Sequence, residues 1–484
     1  MKRTLVAAFL IALGSSAAPA QELSAPKRAA FEAVERLEPR IHDVSMSLWS
    51  MAEVALEEDE SANLLIEILE EEGFSVEQGV AGMPTAFVAS YGSGEPVIGI
   101  LAEYDALPGV GNAAVPRRQV RDDAVTSGHG CGHNLFAAGS VGAALAVKHA
   151  SEEHGLSGTI RLYGTPAEET LVGKVYMAKA GLFDDLDAAL EWHPTTETQL
   201  RNQPGRAMNN FEVEFFGQAA HGSSDPWNGR SALDAVELMN HAVNMMREHV
   251  MPTTRIHYVI PNGGEAPNVV PEYAKVWYFV RDVDRESVEK WYSWMLDIAE
   301  ASAQATRTEH EAFLITGVHP VRLNRPMLEA MQENLEIVGP PPFTEEEHQF
   351  ARDLQGFLDI EQTGYDTEIK PLADEPEPVS GGSTDVAEVS HIVPTAGVRV
   401  ATAARGVPWH SWASTACHGT DAGVKGAVVA AKTLALTAVD LLMDADLLEA
   451  AQAEFLEQGG GRPYVSPVPA DQDPPLPSTA ASGS

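Results

Sequence analysis

VIGILAEYDALPG (97–109) and TIRLYGTP (159–166) are two apolar runs that lead into polar or turn-forming residues, and the Gly/Ala-rich segment LFAAGSVGAALAVKHA (135–150) lies between them. AFVAS (86–90) is a further short apolar run before the first. Buried strands that alternate with helices are typical of parallel sheets whose two faces are covered. The sequence therefore predicts an α/β fold with a mostly parallel sheet and helices on both faces.

A second pattern begins at about Arg206. FEVEFFG (211–217) alternates apolar and polar residues, RIHYVI (255–260) and AKVWYFVRD (274–282) are further strands, and two helical segments accompany them. Antiparallel strands with helices on one face predict an inserted α+β domain over residues 207–317, suited to a lid or a dimerisation surface. The larger domain is then discontinuous, over residues 21–206 and 318–450. The tail, residues 459–484, is rich in Pro, Ser and Gly, and is predicted to be disordered.

The N-terminal segment has the three parts of a secretory signal: Lys2 and Arg3, the apolar stretch from Leu5 to Leu13, and Ala18-Pro19-Ala20. Residues 1–20 are therefore expected to be a signal peptide of a periplasmic or secreted protein. An uncleaved membrane anchor is the alternative, although the apolar run is shorter than the roughly 20 residues that a span needs. The net charge of −38 at pH 7 argues against nucleic acid or an anionic membrane as a partner, because like charges repel.

Residues of metal-binding type occur in four short motifs, most of them at predicted strand–loop junctions. They are Cys131 and His133 in GHGCGHN (128–134), a loop before a helix, Glu168 and Glu169 in GTPAEET (164–170), His193 in ALEWHP (189–194), and His410 in PWHSW (408–412). Thiolate, imidazole and carboxylate all bind divalent transition metals. Each motif alone also fits a structural role, such as a buried cysteine, a solvated glutamate pair or a packed histidine. Together, at the loops where α/β ligand sites form, they predict a metal centre.

These motifs, with AAHG (219–222) and NVVPEYA (268–274) between them, resemble in order those of the aminoacylase/carboxypeptidase family of di-metal hydrolases. LAEYDALPG (101–109), DPWNGRSALDAVELMN (225–240) and GSTD (382–385) are similar to the branch typified by auxin-conjugate hydrolases and p-aminobenzoyl-glutamate hydrolases. The resemblance covers residues 30–445. It implies a metal-dependent amidohydrolase that cleaves the amide bond of N-acyl amino acids, with p-aminobenzoyl-glutamate or a similar aromatic acyl-glutamate as substrate.

The resemblance also implies a role for each matching residue. Cys131 stands where related branches have a metal-bridging aspartate, and the other implied ligands of two divalent ions, zinc or manganese, are His133, Glu169, His193 and His410. Glu168 is implied as the catalytic base and Asp105 as a carboxylate that orients a ligand. His221 would polarise the scissile carbonyl across a dimer, and Asn268 and Arg281 would hold the substrate carboxylate. Glu103 replaces a metal-binding histidine of the carboxypeptidase branch, and its role stays open.

Several alternatives remain open on the sequence alone. Cys131 and Cys417, which are the two cysteines of the chain, could form a disulfide in an exported protein. The substrate could be a broader range of N-acyl amino acids or dipeptides. The chain could also be a metal-dependent binding protein without activity, although an intact Glu168–Glu169 pair argues against that. The expected assembly is a homodimer or a related hetero-oligomer.

Overall fold

The computed structural model describes residues 23–379, 381–459 and 463–477, so the predicted signal peptide lies outside the described residues. The strands, in chain order, are β1 Ser75–Gln78, β2 Phe87–Ser93, β3 Val97–Ala102, β4 Gly158–Gly164, β5 Ala188–Thr195, β6 Gln199–Leu200, β7 Ala207–Phe216, β8 Arg255–Asn262, β9 Tyr273–Asp282, β10 Glu309–Val318 and β11 Thr395–Ala401. The helices are α1 Ala25–Met51, α2 Asp59–Glu71, α3 His133–His154, α4 Gly173–Lys179, α5 Ala232–Met246, α6 Arg285–Thr306, α7 Arg325–Val338, α8 Glu345–Phe357, α9 Val386–Ser390, α10 Trp412–His418, α11 Asp421–Met443 and α12 Ala445–Glu457.

The larger domain is built on a sheet whose strand order, in the part of the chain that the structure describes, is β1-β2-β4-β3-β5-β11-β6. The central strands β4, β3, β5 and β11 are parallel, as predicted. The sheet is nevertheless mixed, because β1, β2 and β6 join its two edges antiparallel to their neighbours. The predicted fold class is confirmed, and the carboxyl ends of four parallel strands meet at one edge.

Strand β3 shows why the sheet is covered on both faces. Ile98 and Ile100 point into an apolar cluster with α1, α3 and α11, and Val97 and Leu101 point into another with α4 and α9. Alternating side chains of one strand thus serve two cores, as expected for a strand buried on both faces. The apolar helix α11 is a core helix, since 72% of its most hydrophobic window is buried.

The inserted domain is a four-stranded antiparallel sheet, ordered β10-β7-β9-β8, with α5 and α6 packed on one face. Phe211, Val213 and Phe215 of β7 point towards these helices and are buried. On β9, Val280 is buried on the same side, so its neighbours Phe279 and Arg281 project from the opposite face. We call this inserted domain the lid.

Residues 463–477 of the tail pack against the rest of the described chain, although the composition of the tail predicts disorder. Val468 is buried in the apolar cluster that covers α4 and α9. The Gln472 side-chain amide donates hydrogen bonds to the Leu314 carbonyl oxygen (2.6 Å) and to the Tyr176 hydroxyl (2.7 Å). The composition suggested disorder because the tail has few large apolar residues, but its prolines restrict the free chain and so lower the entropy lost on docking.

Candidate metal centre and substrate cavity

The predicted ligands converge at the carboxyl ends of the central parallel strands. Asp105 follows β3, Glu169 follows β4, His193 lies in the last residues of β5, and His410 follows β11. Cys131 immediately precedes α3, which begins after β3 and crosses to β4. The strand order therefore brings together residues that are as much as 305 positions apart in the sequence, from Asp105 to His410.

Backbone conformations in the left-handed region shape the loops around this centre. Gly132 has a φ of 87°, and a Cβ atom there would lie 2.8 Å from Pro194 Cβ, so only glycine fits between Cys131 and His133. Ala167 and His410 have φ values of 56° and 55° without being glycine. Such conformations cost about 1–3 kcal/mol each and persist where the surrounding structure holds them, often at functional sites.

The five predicted ligands fall into two groups that share Cys131. The first group is Cys131, His133 and His193, and the second is Cys131, Glu169 and His410; within each group the candidate ligand atoms all lie within 4.8 Å of one another. Cys131 Sγ is 3.4 Å from His193 Nε2, and Glu169 Oε2 is 3.5 Å from His410 Nε2. This arrangement places Cys131 at the centre, where the resemblance implied a bridging ligand.

His133, which is buried, and His193, which is partly buried, direct Nε2 towards the other candidate ligands. His133 Nδ1 lies 2.9 Å from Asp105 Oδ1 and His193 Nδ1 lies 2.7 Å from the Pro194 carbonyl oxygen. Both partners are acceptors, so each Nδ1 donates. Burial lowers the pKa of His193, so its Nε2 keeps a lone pair, whereas the acidic groups around His133 raise its pKa, and a metal would displace the proton on its Nε2. Asp105 also accepts from the Glu169 backbone N–H through Oδ2 at 2.8 Å. One carboxylate thus orients residues of both groups, as expected for a residue behind metal ligands.

A buried network that sequence reasoning missed surrounds Glu103. Glu103 Oε2 is 3.2 Å from His133 Nε2, and Glu103 Oε1 is 2.8 Å from the ammonium nitrogen of Lys174. Lys174 is also 2.6 Å from Asp385 Oδ1, and all three side chains are buried. Asp385 belongs to the GSTD motif, which had no assigned role, whereas Lys174 gave no signal because lysines are rarely buried.

Glu168 lies beside this network and borders the cavity. Its Oε2 atom is 3.7 Å from His133 Nε2, and it forms a third potential metal-binding group with Glu103 and His133. Burial raises the pKa of Glu168 well above its usual range, and the nearby Glu103 charge raises that pKa further. A carboxyl group with a raised pKa beside a cluster of ligand atoms has the chemistry of a general acid or base.

The residues present fit a divalent metal. Burial raises the pKa of Glu169 to about 8 and that of Cys131 to about 12, so without a cation both are pushed towards their neutral forms. His133 Nε2 and Glu169 Oε1 are buried without hydrogen-bond partners among the described residues. A cation would satisfy both atoms and favour the thiolate and carboxylate forms.

A cavity of about 480 Å³ opens onto these residues. Its lining includes Cys131, Glu168, Glu169, His193 and His410. Arg281 reaches it from the open face of the lid sheet, and its Nε is buried without a hydrogen-bond partner in the described chain. The volume lies in the range of small-molecule sites, about 300–1,000 Å³.

His221 and Asn268 lie elsewhere. Both are exposed on the lid, and they are neighbours, since the Gly222 backbone N–H donates to the Asn268 carbonyl oxygen at 2.8 Å and His221 pairs with Val269. Neither is among the described residues that line the cavity. Within one chain the structure therefore does not bring Asn268 to Arg281, its predicted companion in holding a carboxylate.

The structure contains no disulfide between Cys131 and Cys417. Cys131 and Cys417 are both free thiols and both buried. Cys417 packs in a separate apolar cluster with Tyr365 and Ala404. Cys131 is thus available to the metal-binding groups.

Comparison with known proteins gives the same family as the motifs. A family model described as a peptidase dimerisation domain matches residues 206–307. One of the subunits of the p-aminobenzoyl-glutamate hydrolase of Escherichia coli K12 is 36% identical, over 92% of this chain and 97% of that protein. The Xaa-Arg dipeptidase of Mus musculus is 30% identical, over 90% of this chain and 93% of that protein.

Among solved structures, the YxeP protein of Bacillus subtilis, described as a dinuclear metal-binding peptidase from the M20 family, aligns with a TM-score of 0.50 and 21% identity over 82% of this chain and 98% of that chain. Fold, ligand groups and matched lid together define a hydrolase with a dimerisation domain. The chain belongs to the M20 peptidase family, and the resemblance that its motifs implied is confirmed.

Proposed function

We propose that this protein is a di-metal amidohydrolase that cleaves the amide bond of an N-acyl amino acid, with p-aminobenzoyl-glutamate or a related aromatic acyl-glutamate as its substrate. The observation that carries the proposal is that two groups of ligand atoms share Cys131 beside Glu168, which is not needed in either group. The E. coli relative that is 36% identical supports the choice of substrate.

The five ligands named above would hold two divalent ions, zinc or manganese. A single thiolate with imidazole and carboxylate ligands suits either metal. When bound, such ions act as Lewis acids that polarise a carbonyl oxygen and acidify water.

Glu168 is the group that moves protons. Its buried carboxylate borders the cavity, so it takes a proton from the attacking water and delivers it to the departing amide nitrogen. Lys174 and Asp385 hold Glu103 beside His133 Nε2, the same atom that Glu168 approaches, so the neighbours of Glu168 are held in place.

The rest of the cavity orients the substrate. The unpaired Arg281 guanidinium offers a planar pair of donors to the α-carboxylate. Leu171, Phe279 and Trp409 give the cavity an apolar wall that suits an aromatic acyl group.

A second copy of the chain would complete the site. His221 and Asn268 are exposed on the lid, and β8 is an edge strand on which Val259 and Ile260 are exposed. An unpaired edge with exposed apolar residues is suited to association, so a homodimer would deliver His221 to the cavity of its partner. The E. coli relative is named as one component of a hydrolase with more than one kind of chain, which supports a related hetero-oligomer as the alternative.

Export to the periplasm or beyond the cell is part of the proposal and rests on the signal-peptide pattern of residues 1–20. The second candidate activity is dipeptide hydrolysis, which the likeness to the Mus musculus Xaa-Arg dipeptidase favours.

The test is hydrolysis by the purified protein loaded with zinc or with manganese. p-Aminobenzoyl-glutamate and a dipeptide ending in arginine are supplied separately, and the released amino acid is quantified by chromatography. The proposal expects release of glutamate that stops on chelation and returns with metal. Release from the dipeptide alone would establish the second candidate, and release from neither substrate with either metal would contradict amide hydrolysis.

A further inference from the structure

The cavity lining also contains cationic residues, which we call the cationic wall. They are Arg201, Arg281 and Arg399. Arg399 of β11 pairs in register with His193 of β5, and the two strands are parallel neighbours. Partners in register project on the same face, so the Arg399 side chain lies beside a proposed metal ligand.

Arg399 has no partner of its own. Among the described residues the Arg399 side chain makes no hydrogen bond and no ion pair within 4 Å. The neighbouring Arg201 side chain, in contrast, is paired with Glu191. Burial, together with the positive charge of Arg201, lowers the pKa of Arg399 to about 10. Glu191 and Glu377 both act electrostatically on Arg399, but neither lies within ion-pair distance of it among the described residues, so its guanidinium group stays open to a ligand.

Acidic side chains are plentiful in this chain. The sequence has 70 acidic and 32 basic residues, so a carboxylate partner is easily supplied where only stability is at stake. A largely buried cation without a partner is costly, and the cost falls when an anion binds. Ser383 adds a hydroxyl that lines the same cavity and is buried without a hydrogen-bond partner in the described chain.

The two unpaired guanidinium groups serve different regions of the cavity. Arg281 acts electrostatically on Glu168 and His410, and Arg399 acts on His193. A ligand that lies across the metal-binding groups can therefore place one carboxylate at each arginine. An amino acid with an acidic side chain has two such carboxylates.

We propose that Arg399, supported by Arg201, binds the side-chain carboxylate of the amino-acid half of the substrate and makes the enzyme selective for N-acyl dicarboxylic amino acids. This inference rests on the proposed amidohydrolase function, with Arg281 at the α-carboxylate. A neutral side chain loses the contact with Arg399, and a cationic side chain is repelled by it.

The experiment compares kcat/KM for p-aminobenzoyl-glutamate and p-aminobenzoyl-glutamine in the metal-loaded wild type, Arg399→Gln and Arg399→Lys. A hydrogen bond to a charged group typically accounts for roughly a 10- to 100-fold effect. We expect Arg399→Gln to lower kcat/KM for the glutamate substrate by about that factor and to leave the glutamine substrate within about threefold. Arg399→Lys keeps the charge but not the planar donor pair, so its Glu/Gln preference should lie between those of the wild type and Arg399→Gln.

Arg405→Gln is the matched control, because Arg405 is half exposed beside Glu197 and Asp366 and is not in the described lining of the cavity. Its Glu/Gln preference should equal that of the wild type. Thermal unfolding of each variant checks folding, and the ratio of the two substrates cancels any loss of active protein.

An unchanged Glu/Gln ratio in Arg399→Gln, or a wild type that does not prefer the glutamate substrate, overturns this subsite while leaving the amidohydrolase function in place. Hydrolysis of neither amide by the metal-loaded wild type instead overturns the proposed function and the subsite with it.

Discussion

The two walls of the cavity differ in charge and in how their charges are balanced. On the acidic wall, Glu168 and Glu169 line the cavity, and Glu103, His133 and Lys174 lie buried behind them. On the cationic wall, Arg201 has a carboxylate partner, but Arg281 and Arg399 make no ion pair in the described chain. The acidic wall therefore carries more negative than positive charge, and the cationic wall carries more positive than negative charge.

The strand register that places these side chains at the cavity, and not the net charge of the chain, therefore decides what the cavity can bind. The chain carries −38 at neutral pH, yet it keeps two unpaired guanidinium groups in one cavity. Divalent cations would neutralise the excess negative charge of the acidic wall. Substrate carboxylates would neutralise the excess positive charge of the cationic wall. Substitutions that alter the charge or the geometry of one wall test this difference.

The largest effect is expected from Glu168→Gln on the acidic wall. The amide keeps the shape of the side chain but cannot move a proton, so kcat should fall by about 10²- to 10⁴-fold. Metal content, measured by inductively coupled plasma mass spectrometry, should stay at the wild-type level because Glu168 is not among the proposed ligands. Wild-type turnover in this variant would remove Glu168 from the mechanism.

Lys174→Met removes the cation within the acidic wall. Glu103 and Asp385 would then be buried without their counter-ion, and the free energy of unfolding of the metal-free protein should fall by about 3–5 kcal/mol in urea titrations. Lys370→Met is the control: its ion pair with Glu197 is partly exposed to solvent, so a loss of no more than about 1 kcal/mol is expected. Equal losses of unfolding free energy in the two variants would show that the buried network stabilises the protein no more than a partly exposed ion pair does.

Asp105→Asn changes the support behind the ligands. The amide oxygen can still accept from His133 Nδ1, but the amide nitrogen cannot accept from the Glu169 backbone N–H. Metal affinity, measured by competition with a chromophoric chelator, should fall about 10- to 100-fold. Asp421→Asn, at an exposed helix start, should leave affinity unchanged, and unchanged affinity in Asp105→Asn would contradict its orienting role.

The smallest effect is expected on the cationic wall, from Arg281→Lys. Lysine keeps the charge but loses the planar pair of donors, so KM should rise by about tenfold with a smaller change in kcat. Arg255→Lys serves as control, since Arg255 pairs with Arg281 in register on β8 but is exposed. Steady-state kinetics would contradict the assignment if KM were equal in the two variants.

The sequence predicted that the candidate ligands would lie close together because they occur in short motifs, most of them at strand ends. Cys131 and His133 are one residue apart, and the strand pattern placed His193 and His410 at the same edge of the sheet. The helix signals were also sound, since Thr344 and Glu347 form the capping box that the sequence indicates at the start of α8.

The cationic wall could not be predicted in the same way. Arg399 lies inside an apolar strand, and only its register with His193 shows that it faces the cavity. Lys174 and Asp385 come from separate helices, so their pairing with Glu103 depends on packing that the sequence does not display. The tail escaped prediction because Gln472 is held by backbone and hydroxyl partners from β10 and α4, which no local composition reveals.

The most direct test of the central claim is a crystal structure of the protein grown with zinc or manganese, with anomalous diffraction recorded at the metal absorption edge. The account predicts two anomalous peaks about 3.5–4 Å apart, both within bonding distance of Cys131 Sγ. His133 and His193 should contact one peak, and Glu169 and His410 the other. The absence of any peak at Cys131, or a bond between Cys131 and Cys417 in that crystal, would contradict it.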